Sequence, residues 1–383
     1  MVKRKRVGFL FSYNENWIGG TYYLLNIINA LNTLKDDKKP LVLLLTDDKN
    51  NINIVKDQTK YPYLEYIAFP IKLNIFQRAV NKVGYFFNFT VFEKDLKNPP
   101  IDFLYPSQHT NILGDSLKKI FWIPDFQEEF LPHFFSEKEL VKRKNHKIDI
   151  AKNADIVVFS SEDAQSHFYK LYPNTNAKTF VIHFAVTHPD FSDLKINKVL
   201  KKYNLPNKYY FSPNQFWAHK DHLTVLKAVK LLKEQGIEIF IAFSGKHSDH
   251  RNKGYVDTLK DFIKGNNLED NILFLGFIDR KEQLLILENS IAVVQPSLFE
   301  GWSTVVEDTK ALNKHIILTD LPVHYEQIKK NCDFFERKNE KQLSNLLNKY
   351  FLKAPKEDSS DNYSLNIKKF GEEFMILVDN VTL

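Results

Sequence analysis

The chain has 383 residues, a formal net charge of +6, 43% hydrophobic residues and 26% charged residues. These values are ordinary for a globular protein and exclude wholesale disorder, while the length predicts two domains or more at roughly 100–200 residues each. The single cysteine, Cys332, excludes an internal disulfide framework and a cysteine-based zinc site.

Short apolar strands alternate with amphipathic segments through the first half of the chain. A helix is predicted over residues 21–34, and the Ser160-Ser-Glu-Asp163 run is typical of a helix start. The predicted strands are residues 7–12, 40–46, 64–69, 101–104, 119–123, 156–160 and 179–183.

After an irregular stretch over residues 183–206, the alternation starts again. The predicted strands here are residues 209–212, 237–244, 271–275, 290–295 and 315–319. The predicted helices are residues 220–234, 255–265, 280–288 and 304–312. A last helix over residues 365–378 is expected to pack back on the body.

Two runs of strand–helix alternation predict an α/β fold of two doubly wound, Rossmann-like domains that face a central cleft. We place the domains at residues 1–185 and 206–357, followed by a tail at 358–383 that carries the last helix. Ligands of such sheets bind beyond the carboxyl ends of the strands, so the loops that follow strands are the candidate site.

The most informative of these loops lies in residues 295–312, where an apolar strand ends and a helix begins near Ser303 or Thr304. The free backbone N–H groups of that helix end favour an anion, and Glu300 beside it can accept hydrogen bonds from hydroxyl groups. The loop therefore suits a ligand with both phosphate and sugar, although a plain strand–loop–helix junction is the alternative.

The same segment resembles the family-4 retaining glycosyltransferases of GT-B fold. Their signature is a Glu, seven residues and a second Glu, and Glu300-Gly301-Trp302-Ser303 matches its first half. The second acid departs from the pattern, since position +8 is Asp308 and position +7 is Glu307. We assign Glu307 to a capping box with Thr304, and Asp308 to the family's ribose contact.

Further loops match the family in the right order. Gly19 and Gly20 follow the first strand, where the family has a glycine-rich loop near the donor phosphates. Lys220 fits the second member of the family's diphosphate-binding basic pair, whereas Asn214 or Gln215 stands at the place of the first, so one charge is missing.

Gly245 resembles the family's glycine turn, and the loop with Phe277 and Ile278 resembles its base-contacting loop. The resemblance covers roughly residues 7–330 and is strongest over 205–330. The donor site that it implies consists of Gly19, Gly20, Asn214, Gln215, Lys220, Gly245, Phe277, Ile278, Glu300, Gly301, Trp302, Ser303, Thr304 and Asp308.

The resemblance also implies that the first domain binds the acceptor. Asp125 stands where many relatives have a reaction-centre histidine, and His109 is a second candidate. Either can orient or deprotonate the acceptor hydroxyl, and a structural role is the alternative for both.

We expect no metal and no cofactor, with the nucleotide-sugar as a substrate. The sequence has no Asp-x-Asp motif, and its His219/His222 and His247/His250 pairs lack cysteine support for a zinc site. Lys220 and a helix N-terminus are instead expected to stabilise the leaving group.

Residues 76–92 are aromatic, basic and free of acids, which on a helix fits either a membrane surface near a lipid-linked acceptor or a buried position. Nucleic-acid binding is disfavoured because the charge is diffuse and no binding module is recognisable. We expect a cytoplasmic protein, with peripheral attachment to the inner face of the plasma membrane as a further expectation.

The residues and the resemblance together predict a metal-independent, retaining glycosyltransferase (EC 2.4, hexosyltransferase type). It would move a sugar from a nucleotide-sugar to a glycan hydroxyl, with a lipid-linked surface polysaccharide as the expected acceptor class. A nucleotide-sugar 2-epimerase of the same fold and a non-catalytic glycan-binding or scaffold protein remain the alternatives.

Overall fold

A computed structural model describes residues 3–12, 18–69, 77, 80, 100–107, 117–247, 249, 251–252 and 254–382. The described strands are β1 (Arg6–Leu10), β2 (Leu41–Thr46), β3 (Leu64–Ala68), β4 (Phe103–Tyr105), β5 (Ile120–Ile123), β6 (Ile156–Phe159), β7 (Lys178–Val181), β8 (Tyr210–Pro213), β9 (Ile241–Ser244), β10 (Ile272–Phe274), β11 (Val293–Gln295), β12 (Ile316–Thr319) and β13 (Cys332–Phe335).

The described α-helices surround these strands. They are α1 (Ile18–Asn32), α2 (Asn50–Thr59), α3 (Gln127–Phe130), α4 (Glu137–Asn153), α5 (Glu162–Leu171), α6 (Ile196–Tyr203), α7 (His222–Glu234), α8 (Tyr255–Gly265), α9 (Arg280–Asn289), α10 (Thr304–Ala311), α11 (Pro322–Gln327), α12 (Glu340–Leu352) and α13 (Ser364–Thr382). Short 3₁₀ turns cover Asp36–Lys38, Pro132–Phe134 and Ala218–Lys220.

The first domain contains parallel strands in the orders β3-β2-β1-β4 and β5-β6-β7. The backbone N–H of Ser107, just after β4, donates to the carbonyl of Ile120 in β5 at 2.6 Å, which joins the two groups edge to edge. Strand β2 is apolar almost throughout and nearly fully buried, because a parallel sheet is covered by helices on both faces.

The second domain is one six-stranded parallel sheet in the order β10-β9-β8-β11-β12-β13. The chain winds outward from β8 in one direction and then returns to start again at β11. The sheet is therefore doubly wound, and its carboxyl edge has a switch point between β8 and β11 where ligands of such folds bind.

The last helix, α13, packs against α1 of the first domain. Its buried residues Phe370, Phe374 and Leu377 join the same apolar core as β1 and β2. The two helices approach so closely at Gly371 that an added Cβ would lie 2.5 Å from the carbonyl oxygen of Ala30. The chain thus ends on the domain in which it began.

The structure contains elements that the sequence-based expectation lacks. Helix α6 lies within the stretch predicted to be irregular, and α11, β13 and α12 continue the second domain beyond the last predicted strand. Helix α6 fully buries only Val199, but Ile196, Val199, Leu200 and Tyr203 follow the i, i+3, i+4, i+7 spacing of an amphipathic helix, so this helix could have been predicted from the sequence. None of the helices in the described part of the chain is long and apolar enough to cross a bilayer.

Candidate functional site

A cavity of about 470 Å³ opens between the two domains at the carboxyl edge of the second sheet. Helix α1 contributes Gly19 and Tyr22 from the first domain, and the loops after β8, β9, β10 and β11 contribute most of the remainder. These four strands are neighbours around the switch point, so their loops meet at one place.

Most of the predicted donor-site residues line this cavity. They are Gly19, Asn214, Gln215, Lys220, Gly245, Phe277, Ile278, Glu300, Trp302, Ser303, Thr304 and Asp308. Gly20 and Gly301 do not line it, and neither does Asp125. His109 and His250 lie outside the described residues, as do residues 76–92 except 77 and 80.

Lys220 and Glu300 form an ion pair inside the cavity. The Lys220 ammonium lies 2.5 Å from Glu300 Oε1, and the side chains are 15% and 9% exposed. Burial alone would raise the pKa of Glu300, but the Lys220 charge and hydrogen bonds from Lys220 and Ser297 outweigh it, so this pKa lies below its ordinary value. Glu300 is therefore ionised at neutral pH.

The first turn of α10 faces the same cavity. Ser303 is the N-cap, and its hydroxyl accepts a hydrogen bond from the backbone N–H of Val306. The residues that follow, Thr304 and Val305, line the cavity, and N–H groups in the first turn of a helix have no partner within the helix. This end of α10 can therefore donate hydrogen bonds to an anion beside Lys220.

Glu307 does not form the predicted capping box with Thr304, because the helix is capped by Ser303 instead. The Glu307 carboxylate is buried and accepts hydrogen bonds from Lys310 at 2.8 Å, from Gln327 at 2.9 Å and from the Tyr363 hydroxyl. Glu307 therefore has one partner on its own helix, Lys310, and two partners from distant segments, Gln327 and Tyr363.

Asp308, by contrast, lines the cavity and is held by two other side chains. Arg280 donates to both of its oxygens, and His188 Nε2 lies 3.0 Å from Oδ1. Burial opposes ionisation here too, but the charge of Arg280 and the His188 hydrogen bond keep the pKa of Asp308 below its ordinary value. Asp308 thus presents a charged carboxylate, although most of its acceptor capacity is occupied.

Gly19 and Gly20 belong to the first turn of α1, which begins at Ile18, rather than to a loop before the helix. Gly19 has nothing within 4 Å of a Cβ position, whereas Gly20 is buried. At Gly245 the predicted glycine turn has φ +149°, and an added Cβ would lie 2.2 Å from the carbonyl oxygen of Asn214. Only glycine fits at that position.

Asp125 lies beside the cavity, against Gly301 of the second domain. Its Oδ1 accepts a hydrogen bond from the backbone N–H of Gln127 at 2.9 Å, which matches the structural alternative. Burial raises the pKa of Asp125, and the nearby charges of Glu128 and Glu300 act in the same direction. A carboxyl with a raised pKa next to the interdomain cavity also suits proton handling.

The paired histidines contribute to packing. His222 is fully buried, stacks on Phe216 at 4.5 Å and contacts the Tyr255 hydroxyl, while His219 lies near Arg251. Among the residues that the structure describes, no group of three or more His, Cys, Asp or Glu side chains is arranged to hold a metal ion.

Several lining residues were missed by the sequence reasoning. Arg280 and Gln283 of α9, Trp217 after β8, and Tyr22 and Gln58 of the first domain all line the cavity. Arg280 comes two residues after Ile278 of the predicted base-contacting loop, so its place in the cavity could have been predicted from the sequence. Its partner Asp308 is 28 residues later, and no local pattern predicts that pairing.

A larger cavity of about 670 Å³ lies elsewhere on the first domain, between the chain start and α13. It is rimmed by basic residues, among them Lys3, Arg4 and Lys38. It contains none of the predicted site residues and lies at the carboxyl end of α1, whose other end faces the interdomain cavity. The interdomain cavity is therefore the candidate site.

The overall architecture matches solved structures of known proteins. A crystal structure of Anabaena Alr3699/HepE in complex with UDP and glucose superimposes with a TM-score of 0.61 at 16% identity, covering 99% of this chain and 96% of that one. Trehalose-6-phosphate synthase OtsA gives a TM-score of 0.57 at 12% identity, covering 99% and 96%. The fold is GT-B, as predicted.

Residues 195–369 match the family model described as "Glycosyl transferases group 1". The O-antigen chain mannosyltransferase RfbU of Salmonella typhimurium is 23% identical over 221 residues, which are 58% of this chain and 55% of the relative. The O-antigen biosynthesis glycosyltransferase WclY of Escherichia coli is 24% identical over 196 residues, 50% of this chain and 51% of the relative. The matches span about half the length of these curated relatives.

The chain therefore contains a glycosyltransferase group 1 domain within a GT-B fold. The predicted glycosyltransferase domain is confirmed by this match, whereas family 4 and a retaining mechanism stay predictions.

Proposed function

We propose that the protein is a glycosyltransferase that uses a nucleotide-sugar as donor and a glycan hydroxyl as acceptor. The observation that carries the proposal is the Lys220–Glu300 pair beside the first turn of α10, within the part of the chain that matches the glycosyltransferase family. A cation and free N–H groups suit a diphosphate, and a charged acid next to them suits the hydroxyls of a sugar.

In the proposed reaction the sugar keeps its anomeric configuration, as the family resemblance implies. The acceptor oxygen bonds to the anomeric carbon on the face from which the diphosphate leaves. The electron pair of the broken C–O bond goes to the diphosphate, and the acceptor proton passes to its departing oxygen. Lys220 and the α10 N–H groups stabilise the charge that develops there, and Glu300 holds donor-sugar hydroxyls.

Asp125 is the acceptor-side group of the proposal, since it belongs to the first domain and lies against Gly301 of the second. His109 remains the second candidate from the sequence. A carboxyl at Asp125 can orient the attacking hydroxyl by accepting its hydrogen bond.

The acceptor class that we propose is a surface glycan, carried on a lipid or on a growing chain. Support comes from RfbU and WclY, which are described as O-antigen transferases. We further propose that the protein acts in the cytoplasm or at the inner face of the plasma membrane, and that transfer needs no metal ion.

The first experiment is a thermal-shift screen with UDP-, GDP-, ADP- and dTDP-sugars, with and without EDTA. Binding to the native state raises the melting temperature by mass action. We expect one nucleotide class to stabilise the protein equally in both conditions. No stabilisation by any of them would contradict a nucleotide-sugar donor, and stabilisation lost in EDTA would contradict metal independence.

The second experiment measures nucleoside diphosphate release with the donor found in the screen and an isolated lipid-linked glycan fraction. Lys220→Ala and Glu300→Ala should each lower turnover by at least about tenfold, because each removes a charged contact with the donor. Lys202→Ala is the matched control, since Lys202 pairs with Glu282 on the outside of the second domain. Equal turnover in all variants would contradict the proposed site.

A further inference from the structure

The positive side chains that line the cavity are each paired with an acid of the same cavity. Among its described lining residues the cations are Lys220 and Arg280, and each is paired with a lining acid, Glu300 and Asp308 respectively. A third lining acid, Asp279, caps α9. The side chains therefore supply no excess positive charge for a diphosphate, which binds where opposite charge is available.

Within the part of the chain that the structure describes, the loop after β8 supplies no lining cation other than Lys220. Asn214 and Gln215 of this loop line the cavity, and neither side chain is charged. The Asn214 amide donates to Gln295 at 2.8 Å, and the Gln215 side-chain oxygen accepts from the backbone N–H of Lys246 at 2.9 Å. Both side chains are neutral and tied to protein partners, so a second charge must come from another element.

We propose that Arg280 supplies this second charge and binds the donor diphosphate together with Lys220. The inference rests on the proposed function, in that it assumes a nucleotide-sugar donor. Arg280 occupies the first position of α9 and lines the cavity. Its planar guanidinium carries several donors in a fixed fork, a geometry that matches phosphate oxygens.

The position of the guanidinium supports a phosphate contact. Its central carbon lies 5.6 Å from the ring centre of Tyr22, near the start of α1, and Gly19 of the same helix lines the same cavity. Arg280 thus faces the place where the two domains meet over the cavity. A sugar diphosphate held there is reached from both domains at once.

The hydrogen bonds of Arg280 leave donors for a ligand. Three of its five N–H groups are used by Asp308 and Gln283. Among the described contacts, Nε–H and one N–H of Nη2 remain. Asp308, which also contacts His188, holds the guanidinium plane of Arg280 in place. Arg280 can therefore bind phosphate without first losing side-chain entropy.

The test compares a nucleoside diphosphate with its nucleoside. Calorimetry is run with whichever of UDP, GDP, ADP or dTDP stabilises the wild-type protein, and then with the corresponding nucleoside. Arg280→Ala should weaken the diphosphate about 10- to 100-fold and the nucleoside less than about threefold, because only the former carries the charge that Arg280 binds. An equal loss for both ligands would show that Arg280 acts on the ribose or base side and would overturn the inference.

Two further variants separate charge loss from structural damage. Arg280→Ala/Asp308→Asn removes the acid that the single substitution would leave without its cation. If the double variant recovers diphosphate affinity, the stranded acid caused the loss and the inference is wrong. If the selective loss persists, the missing cation caused it. Arg337→Ala, an exposed arginine of the same domain paired with Asp320, should bind both ligands as the wild type does.

Failure of the inference and failure of the proposed function give different results. A wild-type protein that binds no nucleoside diphosphate contradicts the donor and leaves no role for Arg280. A wild-type protein that binds one, with a variant that loses nucleoside and diphosphate equally, contradicts Arg280 alone.

Discussion

Gly301 lies directly against the carbonyl oxygen of Pro124 across the domain boundary. A Cβ on Gly301 would lie 2.1 Å from that oxygen and 2.8 Å from Asp125 Cβ. The residue next to it in the chain is Glu300, so the close contact between the two domains at this point limits the distance between Glu300 and the first domain.

Gly301→Ala should therefore lower both stability and transfer. The added methyl group forces the two backbones apart, at a cost of about 1–3 kcal/mol for an overpacked position. Urea unfolding followed by circular dichroism measures the first effect and nucleoside diphosphate release the second.

Gly265→Ala serves as the control for this substitution. Gly265 ends α8 and has nothing within 4 Å of a Cβ position. Alanine is the better helix former, so stability should stay equal or rise slightly. A Gly301→Ala protein that matches this control in both assays would show that the contact with Pro124 is not tight in solution.

Lys220→Met should change the pH dependence of stability. In the wild type the pKa of Glu300 is lowered, so its contribution is present above the unfolded pKa and lost as pH falls through the folded value. Without Lys220, burial dominates and raises the pKa of Glu300 in the folded protein above its value in the unfolded chain. The variant therefore loses stability as the pH rises above the pKa that Glu300 has in the unfolded chain. The stability difference between variant and wild type should be larger at pH 7 than at pH 4.5, by chemical denaturation.

Lys202→Met provides the comparison, because the Lys202–Glu282 pair is more exposed and lies outside the cavity. Its effect should be small at both pH values, as is usual for exposed pairs. A Lys220→Met deficit that does not grow between pH 4.5 and pH 7 would contradict the ionised state of Glu300.

Tyr363→Phe should destabilise the protein by about 1–3 kcal/mol, the usual cost of leaving a buried polar group without its partner. The Tyr363 hydroxyl donates to Glu307 and accepts from the backbone N–H of Val186. A double-mutant cycle with Glu307→Gln should give a coupling energy well above zero. Tyr325→Phe, on a half-exposed ring, should have little effect, and additive substitutions would mean that Tyr363 and Glu307 do not interact.

His222→Phe should reduce the loss of unfolding free energy that the wild type shows as the pH falls from 7 to 5. Burial lowers the pKa of His222 from 6.5 to about 3, so between these values the unfolded chain binds a proton that the folded one does not. Stability is therefore lost as pH falls through this window, by about 2 kcal/mol between pH 7 and pH 5 for this one group. Phenylalanine keeps the stacking on Phe216 and removes the titration.

The matched control is His133→Phe, since His133 is exposed. The measurement is the denaturant midpoint of the wild type, His222→Phe and His133→Phe at pH 5 and pH 7. A wild-type slope that persists unchanged in His222→Phe would assign the pH dependence to other groups.

The fold was predictable because the buried strands are dense apolar runs. Strand β2 has the sequence LVLLLT and is almost completely buried, and the strand–helix alternation predicts the doubly wound class. Element ends were less predictable. Residues 237–240 are apolar enough to resemble a strand, but β9 begins only at Ile241 because pairing with β8 and β10 starts there.

The site was predictable where one loop carries the chemistry. Glu300, Ser303 and Thr304 lie together in the sequence and together in space. The pairing of Asp308 with Arg280 and His188 is different, since these groups come from separate elements and meet only when the sheet and the domains are assembled. The partners of Glu307 were missed for the same reason, because Gln327 and Tyr363 are 20 and 56 residues away.

The hydrogen bond between Tyr363 and Val186 joins the two places where the chain passes from one domain to the other. One passage leads from β7 towards α6, and the other leads from α12 to α13. The two interdomain passages are therefore linked directly to each other, so Tyr363→Phe would remove this link together with the hydrogen bond to Glu307.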